Sequence, residues 1–207
     1  MKKNLTEIIF VLDRSGSMSG LENDTIGGYN AFIEKQKLEE GEAKVTCVLF
    51  DDQYKVLYDA VDLKLISPLT AVEYFPRGMT ALNDAIGKTI ASVGERLNLT
   101  KEEDRPEKVI MIITTDGYEN SSREYKIERI KEMIDIQTNE FNWEFIFLGA
   151  NIDAIMVGDS YGIGASNAYT FQANSVGVNH IYNGMSKTVA SYRATGDIGD
   201  IVANIEE

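Results

Sequence analysis

Five consecutive apolar residues, Ile8-Ile9-Phe10-Val11-Leu12, end abruptly at Asp13. A short run without polar alternation is the pattern of a strand covered on both faces, and so of a strand near the middle of a sheet. Val109 to Ile113 repeats it, Trp143 to Leu148 reads as a further strand, and Ala168 to Phe171 as a short one. Segments of helical period lie between them. Leu21 to Lys37 carries Leu21, Tyr29, Phe32 and Ile33, although Gly27 and Gly28 each weaken a helix by about 1 kcal/mol. Leu82, Ala85, Ile86, Ile90, Val93 and Leu97 mark the cleanest helix, and Ile127, Ile130, Met133 and Ile134 another. A short helix from Asp153 and a closing helix bearing Val178, Ile181, Tyr182, Met185 and Val189 complete the chain. Val45 to Phe50 and Tyr54 to Tyr58 are separated only by Asp51-Asp52-Gln53, a link that joins antiparallel neighbours but not parallel ones. The expectation is an α/β fold: a doubly wound, Rossmann-like, mostly parallel six-stranded sheet with one antiparallel edge strand and helices on both faces. With no linker, repeat or low-complexity tract, residues 1–207 read as a single domain.

Composition narrows the function. A chain with 43% hydrophobic and 26% charged residues has enough apolar surface to fold, which excludes disorder. Its 33 acidic against 20 basic residues give a formal charge of -13, which repels phosphate backbones and anionic membranes, so neither nucleic acid nor a membrane is expected as a partner. No apolar run approaches the roughly 18 residues of a membrane span, and the first apolar segment is too short for a signal peptide. The single cysteine, Cys47, has no partner for an internal disulfide and sits in an apolar run, as a core side chain does; a reducing, cytoplasmic location is expected.

In doubly wound folds ligands gather at the carboxyl ends of the central strands. Three polar clusters fall there: Asp13-Arg14-Ser15-Gly16-Ser17 after the first strand, Gly78-Met79-Thr80-Ala81-Leu82 before the cleanest helix, and Thr114-Thr115-Asp116-Gly117 after the Val109 strand. Asp13, Ser15, Ser17, Thr80 and Asp116 supply two carboxylates and three hydroxyls, with no nitrogen or sulfur. Oxygen-only donors suit Mg²⁺ or Mn²⁺, and less readily Ca²⁺, over zinc or copper. With only two charged ligands a dication keeps residual positive character and an exchangeable water position, which an incoming carboxylate could fill.

The pattern Asp-x-Ser-x-Ser, then Gly-Met-Thr-Ala-Leu, then Thr-Thr-Asp-Gly, in that order on an α/β alternation covering nearly the whole chain, resembles the metal-ion-dependent adhesion site of von Willebrand factor type A domains, and in particular bacterial cytoplasmic members. The resemblance implies that Ser15, Ser17 and Thr80 bind an ion through their hydroxyls, with Asp13 and Asp116 binding directly or through water. It also implies an interaction module in which an acidic residue of a protein partner completes the metal sphere. Many relatives have a second glycine where Met79 stands, a change that removes no ligand.

Competing readings are weaker. A helix-capping loop explains Asp13, Ser15 and Ser17 alone but not Thr80 and Asp116 on two other segments. A calcium-binding EF-hand loop starting at Asp13 fails at its sixth position, Met18, and its twelfth, Asp24. A Mg²⁺-dependent phosphoryl-transfer enzyme using Asp13 as nucleophile is the alternative function, but Ser15 stands where such enzymes place a second acid. No nucleophile elbow, Walker loop or dinucleotide fingerprint is present, and the chain is not expected to be an enzyme. His180 reads as a surface residue, Asp51 and Asp52 as hairpin-turn residues, Glu102-Glu103-Asp104 as a solvated loop, and Tyr118 as an aromatic placed to touch a partner.

Overall fold

The computed structural model describes residues 1–199. The six strands are β1 (Lys2–Asp13), β2 (Glu42–Phe50), β3 (Tyr54–Asp62), β4 (Pro106–Thr115), β5 (Trp143–Ala150) and β6 (Ala168–Phe171). They form one sheet in the order β3-β2-β1-β4-β5-β6, in which β3 alone runs antiparallel, at an edge. Among the described residues the α-helices are α1 (Glu22–Gln36), α2 (Leu82–Leu99), α3 (Ile127–Phe141), α4 (Ala154–Ser160) and α5 (Ser175–Thr195).

The unbroken apolar runs follow from burial on both faces. Ile8, Phe10 and Leu12 point into a core closed by α1 and α5, while Ile9 and Val11 point into a second core closed by α2, α3 and α4. Glycines set the closest helix contacts: a methyl group built on Gly28 of α1 would lie 2.3 Å from the Tyr182 ring of α5. The segment 63–81 joins β3 to α2 without regular structure beyond one turn at Leu63–Leu65, yet it buries Leu63, Ile66, Leu69 and Tyr74 against the α1 side. Cys47 is a buried core thiol and His180 is exposed. Glu7, buried in β1, is held by Arg96 of α2 and by the Thr46 hydroxyl at 2.8 Å.

Two strands are longer than their apolar runs. β1 starts at Lys2, where its exposed end is tied by Lys2 N–H to Arg105 O at 2.7 Å and by Asn4 N–H to Glu107 at 2.9 Å. β3 continues to Asp62 across a register shift near Ala60, which has φ of 49°, and its half-exposed edge shows no apolar run. The chain order reverses between β1 and β4, so a crevice opens at their carboxyl ends, where Asp13 ends one strand and Thr115 the other. Among the described residues, no helix is long and apolar enough to cross a membrane.

Candidate metal centre

At the end of β1 the chain turns because its own carboxylate takes over the backbone bonding. Asp13 Oδ1 accepts Ser15 N–H at 2.6 Å, and Tyr74 donates its hydroxyl to Asp13 O at 2.6 Å. Arg14 N–H still pairs with Phe50 O, after which a single turn at Gly16–Met18, anchored by buried Met18, lifts Ser17 to the surface. Ser15 and Ser17 then face each other with their hydroxyl oxygens 3.0 Å apart. Ser17 donates to Asp116 Oδ1 at 2.5 Å, and the second oxygen of Asp13 accepts the Thr115 hydroxyl at 2.6 Å.

Thr80 arrives from the third segment. Gly16 N–H bonds Gly78 O at 3.1 Å and Arg77 N–H bonds Arg14 O at 2.9 Å, so the loop before α2 runs beside the loop after β1. Gly78 has φ of 65°, and a side chain there would meet the Asp52 carboxylate at 2.0 Å, so both conformation and space demand glycine. A methyl built on Gly117 would lie 3.3 Å from Thr80 Oγ1 and 3.4 Å from Ser17 Oγ. The bare Cα of Gly117 thus leaves the cradle into which both hydroxyls point. The structure brings all five candidate residues to this well: Asp13, Ser15 and Thr80 form its buried floor, while Ser17 and Asp116 form its rim.

Burial works against negative charge on both carboxylates of the site. Burial pushes the Asp13 carboxyl up to about 6 against the opposing pull of the Thr115 and Ser15 hydrogen bonds, and the neighbouring Asp116 adds to the rise. Burial also raises Asp116, with the Ser17 hydroxyl acting the other way. Among the described residues no three His, Cys, Asp or Glu side chains gather as a metal site, so an ion here must draw on the hydroxyls. Two carboxylates and three hydroxyls on a buried floor with an open rim fit a hard divalent cation. Asp24, in place of an EF-hand glutamate, lies within α1 and accepts the Ser175 hydroxyl at 2.8 Å.

Sequence reading missed the residues that hold this set together. Thr115 and Tyr74 fix Asp13, while Asn120 takes Thr80 N–H at 2.9 Å and returns its own N–H to Thr80 O at 3.0 Å. Asp51 shapes the β2–β3 turn by accepting Gln53 N–H at 2.6 Å, and it also ion-pairs with Arg14 at 3.0 Å and Arg77 at 2.9 Å. Of these only Thr115 carried a local signal, its place directly before Asp116. Met79 and Tyr118, next to Thr80 and Gly117, are exposed at 53% and 54%.

The sequence matches the von Willebrand factor type A domain over residues 7–198. Solved structures share the fold at low identity. Proximal thread matrix protein 1 from the mussel byssus, with a zinc-occupied MIDAS motif, is 14% identical with a TM-score of 0.63 over 92% of this chain and 47% of that one. The manganese-loaded Plasmodium vivax TRAP protein is 19% identical with a TM-score of 0.54 over 72% of this chain and 58% of that one. A von Willebrand factor type A protein from Catenulispora acidiphila is 14% identical with a TM-score of 0.60 over 92% and 43%. The chain thus spans about half the length of the structures it matches. No curated protein is matched by the sequence.

Proposed function

This chain belongs to the von Willebrand factor type A domain family, and we propose that its Asp13, Ser15, Ser17, Thr80 and Asp116 hold Mg²⁺ or Mn²⁺, Ca²⁺ less readily, to capture an acidic residue of a protein partner. The observation that carries this reading is the 3.0 Å separation of the Ser15 and Ser17 hydroxyl oxygens, one on the buried floor and one on the rim of the site. Neighbouring ligands of an octahedral ion bound at 2.0–2.1 Å stand about 2.9 Å apart, so both hydroxyls can reach one small ion at once. Bound there, the ion would supply a Lewis-acidic position for one carboxylate oxygen. The chain's own residues do the rest: Asp13 is locked by Ser15 N–H and Thr115, Asp116 and Ser17 meet at the rim, and Met79 and Tyr118 offer exposed apolar contacts on either side.

Binding, not catalysis, is the reading we favour. Both oxygens of Asp13 already accept hydrogen bonds and the residue is buried, which argues against its acting as a nucleophile toward phosphorus. The unpaired thiol of Cys47 suits a reducing, cytoplasmic setting. Calorimetric titration of MgCl₂ into the whole chain tests the metal: the unaltered protein should bind, and Asp13→Ala and Thr80→Ala should each lose at least about tenfold in affinity. Equal affinities in all three would refute it. Capture of a partner in Mg²⁺ but not in EDTA, abolished when one acidic residue of that partner is replaced by alanine, tests the second half.

A further inference from the structure

The loop after β4 does more than carry Asp116. Its residues 119–125 are bolted onto the start of α2 and onto Thr80, two residues before that helix. Glu119 accepts Asn83 N–H at 2.8 Å and the Ser122 hydroxyl accepts Asp84 N–H at 3.0 Å, so two free amides of the first helical turn are capped from another part of the chain. In return, the Asp84 carboxylate accepts N–H groups of Arg123, Glu124 and Tyr125 at 2.8–2.9 Å. Glu119 also closes its own turn on Ser121 and Ser122. At the centre stands Asn120. Its side-chain oxygen takes Thr80 N–H and its backbone N–H bonds Thr80 O, so both main-chain polar groups of Thr80 are held by one residue. Asn120 is exposed and follows Asp116 by four positions, separated from it by the Gly117 that faces the Thr80 and Ser17 hydroxyls.

Thr80 is therefore tied to the loop that carries Asp116. Resting on the metal-binding reading above, we infer that Asn120 is a positioning residue that fixes Thr80 against Asp116 and so sets the size of ion the centre accepts. A small ion demands near-ideal ligand placement, whereas Ca²⁺ tolerates longer and more variable bonds. With Thr80 N–H and C=O both bonded to Asn120, its hydroxyl keeps the fixed place that the small ion demands. Releasing Thr80 lets that hydroxyl wander, which costs the ion that needs exact placement more than the ion that tolerates variable bonds.

The experiment is titration of MgCl₂ and of CaCl₂ into the whole chain and into two variants. Asn120→Ala removes the side-chain acceptor for Thr80 N–H; Asn120→Asp keeps an oxygen there. Asn120→Ala should lose about 10–100-fold in Mg²⁺ affinity, as outer-shell partners of metal ligands do, with Ca²⁺ affinity changed by no more than about threefold. Asn120→Asp should keep the Mg²⁺ to Ca²⁺ ratio within about threefold of the unaltered chain, because its added charge favours both ions alike. In the metal-free proteins, amide exchange at Thr80 should accelerate in Asn120→Ala and not in Asn120→Asp. An unchanged ratio in Asn120→Ala, with the two affinities falling together or neither falling, would overturn the inference while leaving the metal site intact. Failure of the unaltered chain to bind either ion would remove the site itself.

Discussion

Asp51 ties the loop after β1 and the loop before α2 to the β2–β3 turn, and its replacement by alanine should be among the most damaging single changes in the protein. Its side chain is fully buried; Arg14, 3.0 Å away, is only 3% exposed, whereas Arg77, 2.9 Å away, is 38% exposed. Arg14 and Arg77 also lie over the Phe75 ring, their guanidinium carbons 5.4 and 5.6 Å from its centre. In Asp51→Ala, Arg77 can turn into water and costs about 0–1 kcal/mol. Arg14 cannot, and stripping the partner from a buried charge costs about 3–5 kcal/mol. Each kcal/mol lowers the melting temperature of a domain of this size by about 2–4 °C, so the total of about 3–6 kcal/mol is a fall of roughly 6–24 °C. Urea unfolding monitored by circular dichroism gives the free energy directly. The same argument demands that Arg14→Met added to Asp51→Ala recover part of the loss, since the buried charge is then gone. A loss below about 1 kcal/mol in the single variant, or no recovery in the double, would refute the account of Arg14 as a buried charge that depends on Asp51.

Two further outcomes follow from the geometry. The folded-state pKa of Asp13, at about 6, lies above the unfolded value near 3.9, so the metal-free fold favours the protonated acid and loses that advantage as pH rises from about 4 through 6. An ion that binds the carboxylate should therefore raise the melting temperature more at pH 7.5 than at pH 5, and a shift that is equal or larger at pH 5 would contradict it. The adjacent glycines of α1 should respond oppositely to alanine. Gly27→Ala meets nothing within 4 Å and should gain up to about 1 kcal/mol, whereas Gly28→Ala drives a methyl into Tyr182 and should lose about 1–3 kcal/mol; both are read by urea unfolding.

What the sequence disclosed depended on the range of the forces involved. Strands buried on both faces announce themselves as apolar runs, so β1, β4 and β5 were legible, as was the antiparallel edge from the three-residue link after Phe50. The exposed start of β1 and the far half of β3 were not, because pairing there rests on bonds to the Arg105 carbonyl and the Glu107 carboxylate or on a bulge at Ala60, and neither leaves an apolar pattern. The loop 63–81 buries Leu63, Ile66, Leu69 and Tyr74 without any period to mark them. At the site, Asp13, Ser15, Ser17, Thr80 and Asp116 stand out as oxygen donors at strand ends. Their supports, Asn120 for Thr80, Thr115 and Tyr74 for Asp13, and Asp51 for Arg14 and Arg77, act across 26 to 102 positions of sequence. Asp51 was legible as a turn residue and illegible as an ion-pair hub, since only the fold brings the two arginines to it.

The same long-range arrangement gives the net charge of -13 a local exception. A dication would balance Asp13 and Asp116, and beside it Arg14 and Arg77 face two acids, Asp51 and the Asp52 carboxylate that lies against Gly78, so the charges next to the site nearly cancel. Phe75, Met79 and Tyr118 on the same loops are exposed and uncharged. A carboxylate arriving at the centre thus meets a near-neutral, partly apolar spot set in a negative surface. At 0.15 M salt the repulsion from that surface decays over about 8 Å, so it acts on the residues around an incoming acid more than on the acid once seated at the ion. Under the proposed function, the acidic surface works as a filter: it admits a single acidic residue carried on a neutral or basic face and turns away a uniformly acidic one.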